Sequence, residues 1–308
     1  LHHCAVSDFA HYDDVPHALT EHWACAMPDV LRMVTDAAND VELGRALKWL
    51  LALHDILLRL PPRGGRRGRG VLARRFQAWS DGDLSALVRW WQQDRAAVQR
   101  RAHQHRKDRA DDFGIARRAI QLLASGDVSR AIKLLTSIGL ADVADERIVE
   151  QLASKHPQRK EDLPPSLDGF APCLRIELDL EPTLRRLDPQ AGSGASGGRN
   201  GYLRALVQNF ADPKAASAIG LLNTFAERYV NAELPPWFYE VFTAVKLLAP
   251  IKSAAASVHD APDVRPIGVG ECIRRAINAA LMGDMKPSFA QHFWPQQVAV
   301  GTPSGISM

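Results

Sequence analysis

Cysteine is scarce. Cys4, Cys25, Cys173 and Cys272 stand singly among 308 residues, which excludes a disulfide framework and a CxxC metal module. Isolated thiols fit a reduced, intracellular compartment. Aromatic residues make up only 7% of the chain, and Ala, Leu and Arg outnumber β-branched residues. A mainly helical chain is therefore expected. No apolar run reaches the roughly 18 residues of a membrane span. The best stretch, Ala46–Leu60, is broken by Lys48, His54, Asp55 and Arg59, so no membrane partner is expected. The chain also lacks a GxxxxGK[ST] phosphate loop, a GxSxG elbow and an HExxH pair. No basic stretch leads into an apolar core at the start, so no signal peptide is read. What is there is an ordinary globular mixture, 46% hydrophobic and 24% charged, long enough for two domains. The first residue is Leu1 rather than Met, and the last ones, Gly305-Ile306-Ser307-Met308, follow a turn signal. A piece of a longer reading frame is expected.

The net charge of +3 conceals an asymmetry. Arg59 to Arg118 contains 16 Lys or Arg against 6 Asp or Glu, a local excess of +10, while the remainder sums to −7. Such an imbalance points to an anionic partner. Its centre, Pro61-Pro62-Arg63-Gly64-Gly65-Arg66-Arg67-Gly68-Arg69-Gly70, reads as a flexible loop whose guanidinium groups suit phosphates in charge and fork geometry. Arg63, Arg66, Arg67, Arg69, Arg74 and Arg75 are the candidate contacts to a nucleic-acid backbone. The plainer alternative is a solvated Arg-rich loop between two helices.

Helical periodicity flanks this segment. Ala18–Thr35 sets Leu19, Trp23, Ala26, Val30 and Val34 on one stripe, and Leu43–Leu60 does the same with Leu43, Leu47, Leu50, Leu51, His54 and Leu58. Further helices are expected over Leu72–Trp79, Leu84–Arg106, Phe113–Ser125, Val128–Ser137 and Asp145–Ser154. Ser80-Asp81-Gly82-Asp83 acts as a stop and restart, and Gly139 closes a helix. Trp90 and Trp91 can stack on bases, although tryptophans on an apolar stripe are more often core. Residues 1–155 thus read as a helical, partly basic N-terminal domain.

From His156 the pattern fails. Pro157, Pro164, Pro165, Pro172, Pro182 and Pro189 punctuate the chain, and Ala191–Gly198 is all glycine, alanine and serine. Residues 156–200 read as a Pro/Gly-rich connector, with strand-like pieces such as Leu174–Leu180. Helices resume at Tyr202–Phe210 and Lys214–Asn231, and Pro235-Pro236 opens another. Val245–Leu248 and Val264–Val269 are β-type runs separated by the small-residue loop Lys252–Ala261, consistent with a hairpin. A helix over Glu271–Met285 follows, with Ile273, Ile277, Ala280 and Leu281 inward.

Metal chemistry finds little support. His2, His3, His11, His17 and His22 gather near Cys4 and Cys25, but their spacings match no standard zinc finger. Asp13-Asp14 and Asp111-Asp112 lack the strand–turn–strand setting of catalytic magnesium and read as helix-start or surface residues. No catalytic residue, metal site or cofactor is assigned in this chain.

One stretch is more distinctive. Val264-Arg265-Pro266-Ile267-Gly268-Val269-Gly270-Glu271-Cys272-Ile273-Arg274-Arg275 resembles the fingers element R-P-I-(A/S)-V-G-E-x-x-R-R of reverse transcriptase-like proteins from non-long-terminal-repeat retroelements. Other pieces are similar to that family in the same order. They are Trp79-Ser80-Asp81-Gly82-Asp83-Leu84, the Ser129–Leu135 helix with Ser137 and Gly139, and His156-Pro157. Ser196-Gly197-Gly198-Arg199-Asn200-Gly201-Tyr202-Leu203, Glu233-Leu234-Pro235-Pro236 and Val298–Gly305 continue the series. The ordered set runs from about Ala18 to Met308 and is more specific than any single piece.

The resemblance implies a mainly α chain, a helical N-terminal domain followed over 201–308 by a small α+β fingers-like unit with a β-hairpin, an incomplete polymerase fold. It implies that Arg265 and Lys252 contact the triphosphate or the template backbone from a two-stranded ribbon. RNA or DNA would be the partner, together with the palm and thumb of a full-length protein, in the nucleus. Mg2+ would be expected only for a complete polymerase, because the family's metal-binding aspartates sit on palm strands after the Val298–Gly305 element. Exposed apolar surface is expected on Glu271–Met285, where such a palm would pack. Two departures stand out: Pro250-Ile251-Lys252 carries an inserted residue, and Ser304-Gly305 replaces a Gly-Gly pair. Two other readings stay open, a helical nucleic-acid-binding module and an interaction scaffold, neither with a polymerase role.

Overall fold

The computed structural model describes residues 7, 9–61, 67–104, 112–124, 126–155, 175–189, 191–207, 213–254 and 260–293. The chain is mainly helical, with short antiparallel strand pairs. In its first half lie α1 (Thr20–Thr35), α2 (Asp40–Leu58), α3 (Arg67–Ser80), α4 (Leu84–Gln104), α5 (Asp112–Ala124), α6 (Val128–Thr136) and α7 (Glu146–Lys155). The second half has α8 (Glu181–Arg186), α9 (Asn200–Leu206), α10 (Pro213–Val230) and α11 (Pro236–Phe242). Strands β1 (Lys246–Leu248), β2 (Ile251–Ser253), β3 (Asp263–Val264) and β4 (Ile267–Val269) then precede α12 (Cys272–Phe293).

These elements form two compact units that interleave along the chain. One comprises Leu1–Val98, Cys173–Val245 and Gly270–Met308, the other Gln99–Pro172 and Lys246–Val269. The units are therefore not the consecutive blocks 1–155, 156–200 and 201–308 read from the sequence. The hairpin groups with helices from residues 99–155, and α12 groups with the N-terminal helices.

The first unit has a continuous apolar core. Trp23, Ala26, Met27, Val30, Leu31 and Val34 recur every three or four residues along α1, and all are buried. Helix α2 starts at Asn39, whose side chain accepts from the Val41 and Glu42 amides at 3.1 and 3.0 Å. Glu42 returns the favour by accepting from the Ala38 amide at 3.0 Å, so three amides are satisfied at this helix start. Leu43, Leu47, Leu50, Leu53 and Leu57 then face inward. Tyr202, Leu203, Phe225, Phe238 and Phe242 supply the opposing aromatic and aliphatic bulk from α9, α10 and α11.

Of the piece expected to be strand-like, Leu174–Leu180, residues 175–180 are described, and they join no sheet among the described residues. Instead α10 takes its amides. Asn231 Oδ1 accepts from Ile176 at 2.9 Å, Glu227 Oε1 from Leu178 at 3.4 Å and Asn223 Oδ1 from Leu180 at 3.0 Å. Acceptors four residues apart on a helix form a ladder that serves alternate amides of an extended chain.

The second unit is small. Strand β1 pairs antiparallel with β4, Lys246 opposite Val269 and Leu248 opposite Ile267. Strand β2 pairs with β3, and its register shifts between Ile251 and Ser253. Pro250 separates the two ladders because it has no amide to donate. The segment around Leu140 runs alongside, with Ala141 donating to Ala249 and Ile251 donating to Gly139 at 2.9 and 3.0 Å. Ile148 and Leu152 of α7 pack on Ala249 and Val264.

Candidate nucleic-acid interface

The hairpin presents its basic residues outward. Arg265 follows β3 with its amide donating to Pro250 at 2.9 Å, and its guanidinium is exposed with no ion pair to a described residue. Lys252 falls in the register shift of β2 and is exposed too, but Asp263 lies 3.2 Å from its ammonium. Asp263 also takes Lys155 from α7, and the two ammonium groups hold its carboxyl below the usual carboxylate range. One carboxylate shared by two lysines leaves a net positive charge on this edge, beside Arg265. Of the two residues singled out in the sequence, Arg265 is thus open to solvent, and Lys252 is engaged by Asp263, with which any anion would have to compete.

The basic segment divides into distinct environments. Arg63 and Arg66 lie outside the described residues. Arg67 and Arg69 belong to the first turn of α3, a helix start rather than the flexible loop expected from glycine content. Arg74 is exposed and stacks its guanidinium 4.5 Å from the Trp90 ring centroid. Arg75, one residue on, is a correction to the candidate set. Its side chain is buried, donating to the Arg59 carbonyl at 2.7 Å and to Asp94 Oδ2 at 3.1 Å. Arg59 is buried as well and shares Asp94 at 2.8 Å. Burial, with Arg59 beside it, pulls the Arg75 guanidinium below its ordinary range. Both arginines hold helices together and are not accessible to phosphate.

The glycine-rich stretch expected to be a linker is also packed. Gly194, Ser196, Gly197 and Gly198 are buried. Ser196 donates through its amide and hydroxyl to the two oxygens of Glu271 at 2.8 and 2.6 Å. Arg275 donates to the Gly192 carbonyl at 2.8 Å and to Asn200 at 3.2 Å. Gly197 has a φ of 83°, and a Cβ there would overlap the His11 ring. Only glycine meets both demands. His11 in turn lies 2.8 Å from Asp55, and the neighbouring His54 stacks on Tyr202 with ring centroids 5.6 Å apart.

This junction is buried on both sides. The Ser196 hydroxyl donates to the Glu271 carboxyl group. Burial raises the Glu271 carboxyl despite the Ser196 hydrogen bonds that oppose it, and it pushes the Cys272 thiol up to about 12. No cluster of three or more His, Cys, Asp or Glu suited to a metal occurs among the described residues. Nor is any helix among them long and apolar enough to cross a membrane.

Helix α12 gives a divided answer on exposure. Cys272, Ile273, Ala276, Ile277 and Ala280 are buried in the first unit's core, whereas Met282 and Met285 are 52% and 39% exposed. Its leading turns are covered and its middle is open. No protein-family model, curated protein or solved structure matches the chain. The Ser196–Glu271 clasp was invisible to sequence reasoning, since nothing in the spacing of two residues 75 apart announces a contact.

Proposed function

We propose that this chain handles RNA or DNA as the N-terminal and fingers region of a reverse transcriptase-like retroelement protein. The observation that carries the reading is the clasp joining two of its resembling elements. Ser196 opens the Ser-Gly-Gly-Arg piece, Glu271 sits in the Arg-Pro-Ile piece, and the two are bonded in a buried junction. Sequence pieces that resemble one family at separate positions support a common origin more strongly when their own residues bind one another. The exposed Arg265, between β3 and β4, and Lys252 on β2 add the chemistry of phosphate binding. No catalytic step is assigned to these residues, whose role is to hold a polyanion.

The test is anisotropy titration of labelled single-stranded RNA and duplex DNA over a salt series. Binding should weaken with salt by a log–log slope of about 0.7 per neutralised phosphate on a single strand and about 0.9 on a duplex. Lys252→Ala/Arg265→Ala should lower affinity for the single strand and reduce that slope by about 1.4. Absence of binding at low salt would reject the reading.

A further inference from the structure

Two clefts share one pair of cations on α2. The first, about 210 Å³, is lined by Arg45, Lys48, Trp49, Ile56 and Trp91 among others. The second, about 360 Å³, is lined by Val41, Gly44, Trp237 and the same Arg45 and Lys48. All these residues belong to the first unit. Arg45 and Lys48 are exposed, three residues apart on one helix face, and neither makes an ion pair or hydrogen bond to a described residue. The first cleft has no acidic side chain in its lining, and the second has Asp40.

The tryptophans are braced. Trp49 meets Trp79 edge-on at 5.6 Å, and Trp79 donates to Asp29 at 3.4 Å. Trp91 donates to Asp55 at 3.4 Å and carries the Arg95 guanidinium 5.3 Å from its ring centroid. Each indole is thus held from within and still lines the cleft. Rigid aromatic platforms beside unpaired cations suit a flat ring attached to a phosphate, because stacking is satisfied by any base and the charges by its backbone. Both cations are exposed, so a phosphate beside the stacked ring would pair with charges that are otherwise met by water.

We infer that the Trp49–Trp91 cleft takes a base of single-stranded nucleic acid, with Arg45 and Lys48 holding the phosphates beside it. The inference deepens the nucleic-acid reading above but stands on different residues, in the other unit from the hairpin.

The experiment titrates the whole chain with labelled oligouridylate, oligothymidylate and an abasic oligonucleotide of equal length, over a salt series. Arg45→Ala/Lys48→Ala changes two exposed side chains and should fold. It should weaken oligonucleotide binding roughly tenfold and cut the log–log salt slope by about 1.4. Trp49→Leu should abolish the preference for base-bearing over abasic strands, worth about 5- to 150-fold in the unaltered protein. A cation variant that binds as the unaltered protein does, with the same slope, overturns the inference. So does equal binding of abasic and base-bearing strands by the unaltered protein. Loss confined to Lys252→Ala/Arg265→Ala sinks the cleft and leaves the broader reading standing. No oligonucleotide binding at low salt, with or without capture of an acidic aromatic peptide, removes both.

Discussion

Trp23, Met27, Val30 and Leu31 of the first unit are shut away from solvent, whereas Val128, Ile132 and Leu135 on α6 of the second are each more than half exposed. Both sets recur at helical spacing, and both helices are amphipathic. The difference lies in what faces them. Around α1 stand α2, α9 and α10, each with an apolar side of its own. Among the described residues of the second unit the buried cluster comprises Ile148, Leu152, Ala249 and Val264, and Ala119, Leu122 and Ala131 are buried apart from it. Periodicity therefore announces a face, but the number of neighbouring elements decides whether that face becomes a core.

The largest expected effect sharpens that contrast directly. Leu31→Ala should cost about 2–5 kcal/mol, because it leaves a cavity in a filled interior. Leu135→Ala, at a residue 59% exposed, should stay within about 0.5 kcal/mol. Urea unfolding of both variants measures the pair, and equal costs would break the comparison. Next comes Gly197→Ala. Its left-handed backbone alone should cost about 1–2 kcal/mol, with displacement of His11 added to that. Here a denaturation midpoint equal to that of the unaltered chain would contradict the packed junction.

The smallest effect at neutral pH concerns His54. Burial, reinforced by nearby His11, drops its imidazole to about 3, so it stays neutral in the folded chain. The unfolded chain takes up a proton near the ordinary histidine value of about 6.5. Stability from this group is complete above that value and should fall by about 1.4 kcal/mol per pH unit on acidification towards 3. Neither ring nitrogen has a hydrogen-bond partner among the described residues, so His54→Phe keeps the stack on Tyr202 and should remove this slope. Unfolding at about pH 7 and about pH 5 separates the two proteins.

Much of the helical architecture was legible in the sequence. The stripes of Ala18–Thr35 and Leu43–Leu60 became α1 and α2 with ends shifted by a few residues, and the two β-type runs did pair. What stayed hidden were choices that local composition does not encode. Arg74 and Arg75 carry the same charge and adjoin, yet one stacks on Trp90 and the other is buried against Asp94. A count of charges cannot see which way a helix faces. Small residues in Ala191–Gly198 suggested slack, but the lack of side chains equally allows other atoms to come close, as His11 and Glu271 do. The run before α8 was read as strand-like, yet its described residues join no sheet, and their amides bond to side chains of α10 instead.

The interleaved chain has a consequence for synthesis on the ribosome. The core that holds Trp23 also takes Ile273, Ala276 and Ile277, contributed by α12. Translation at ~5–20 residues per second separates these groups by about 10–50 seconds. Once made, Ser196 stands without its carboxylate and Gly198 without Cys272 until α12 follows. The core around Trp23 is complete when α12 has joined it.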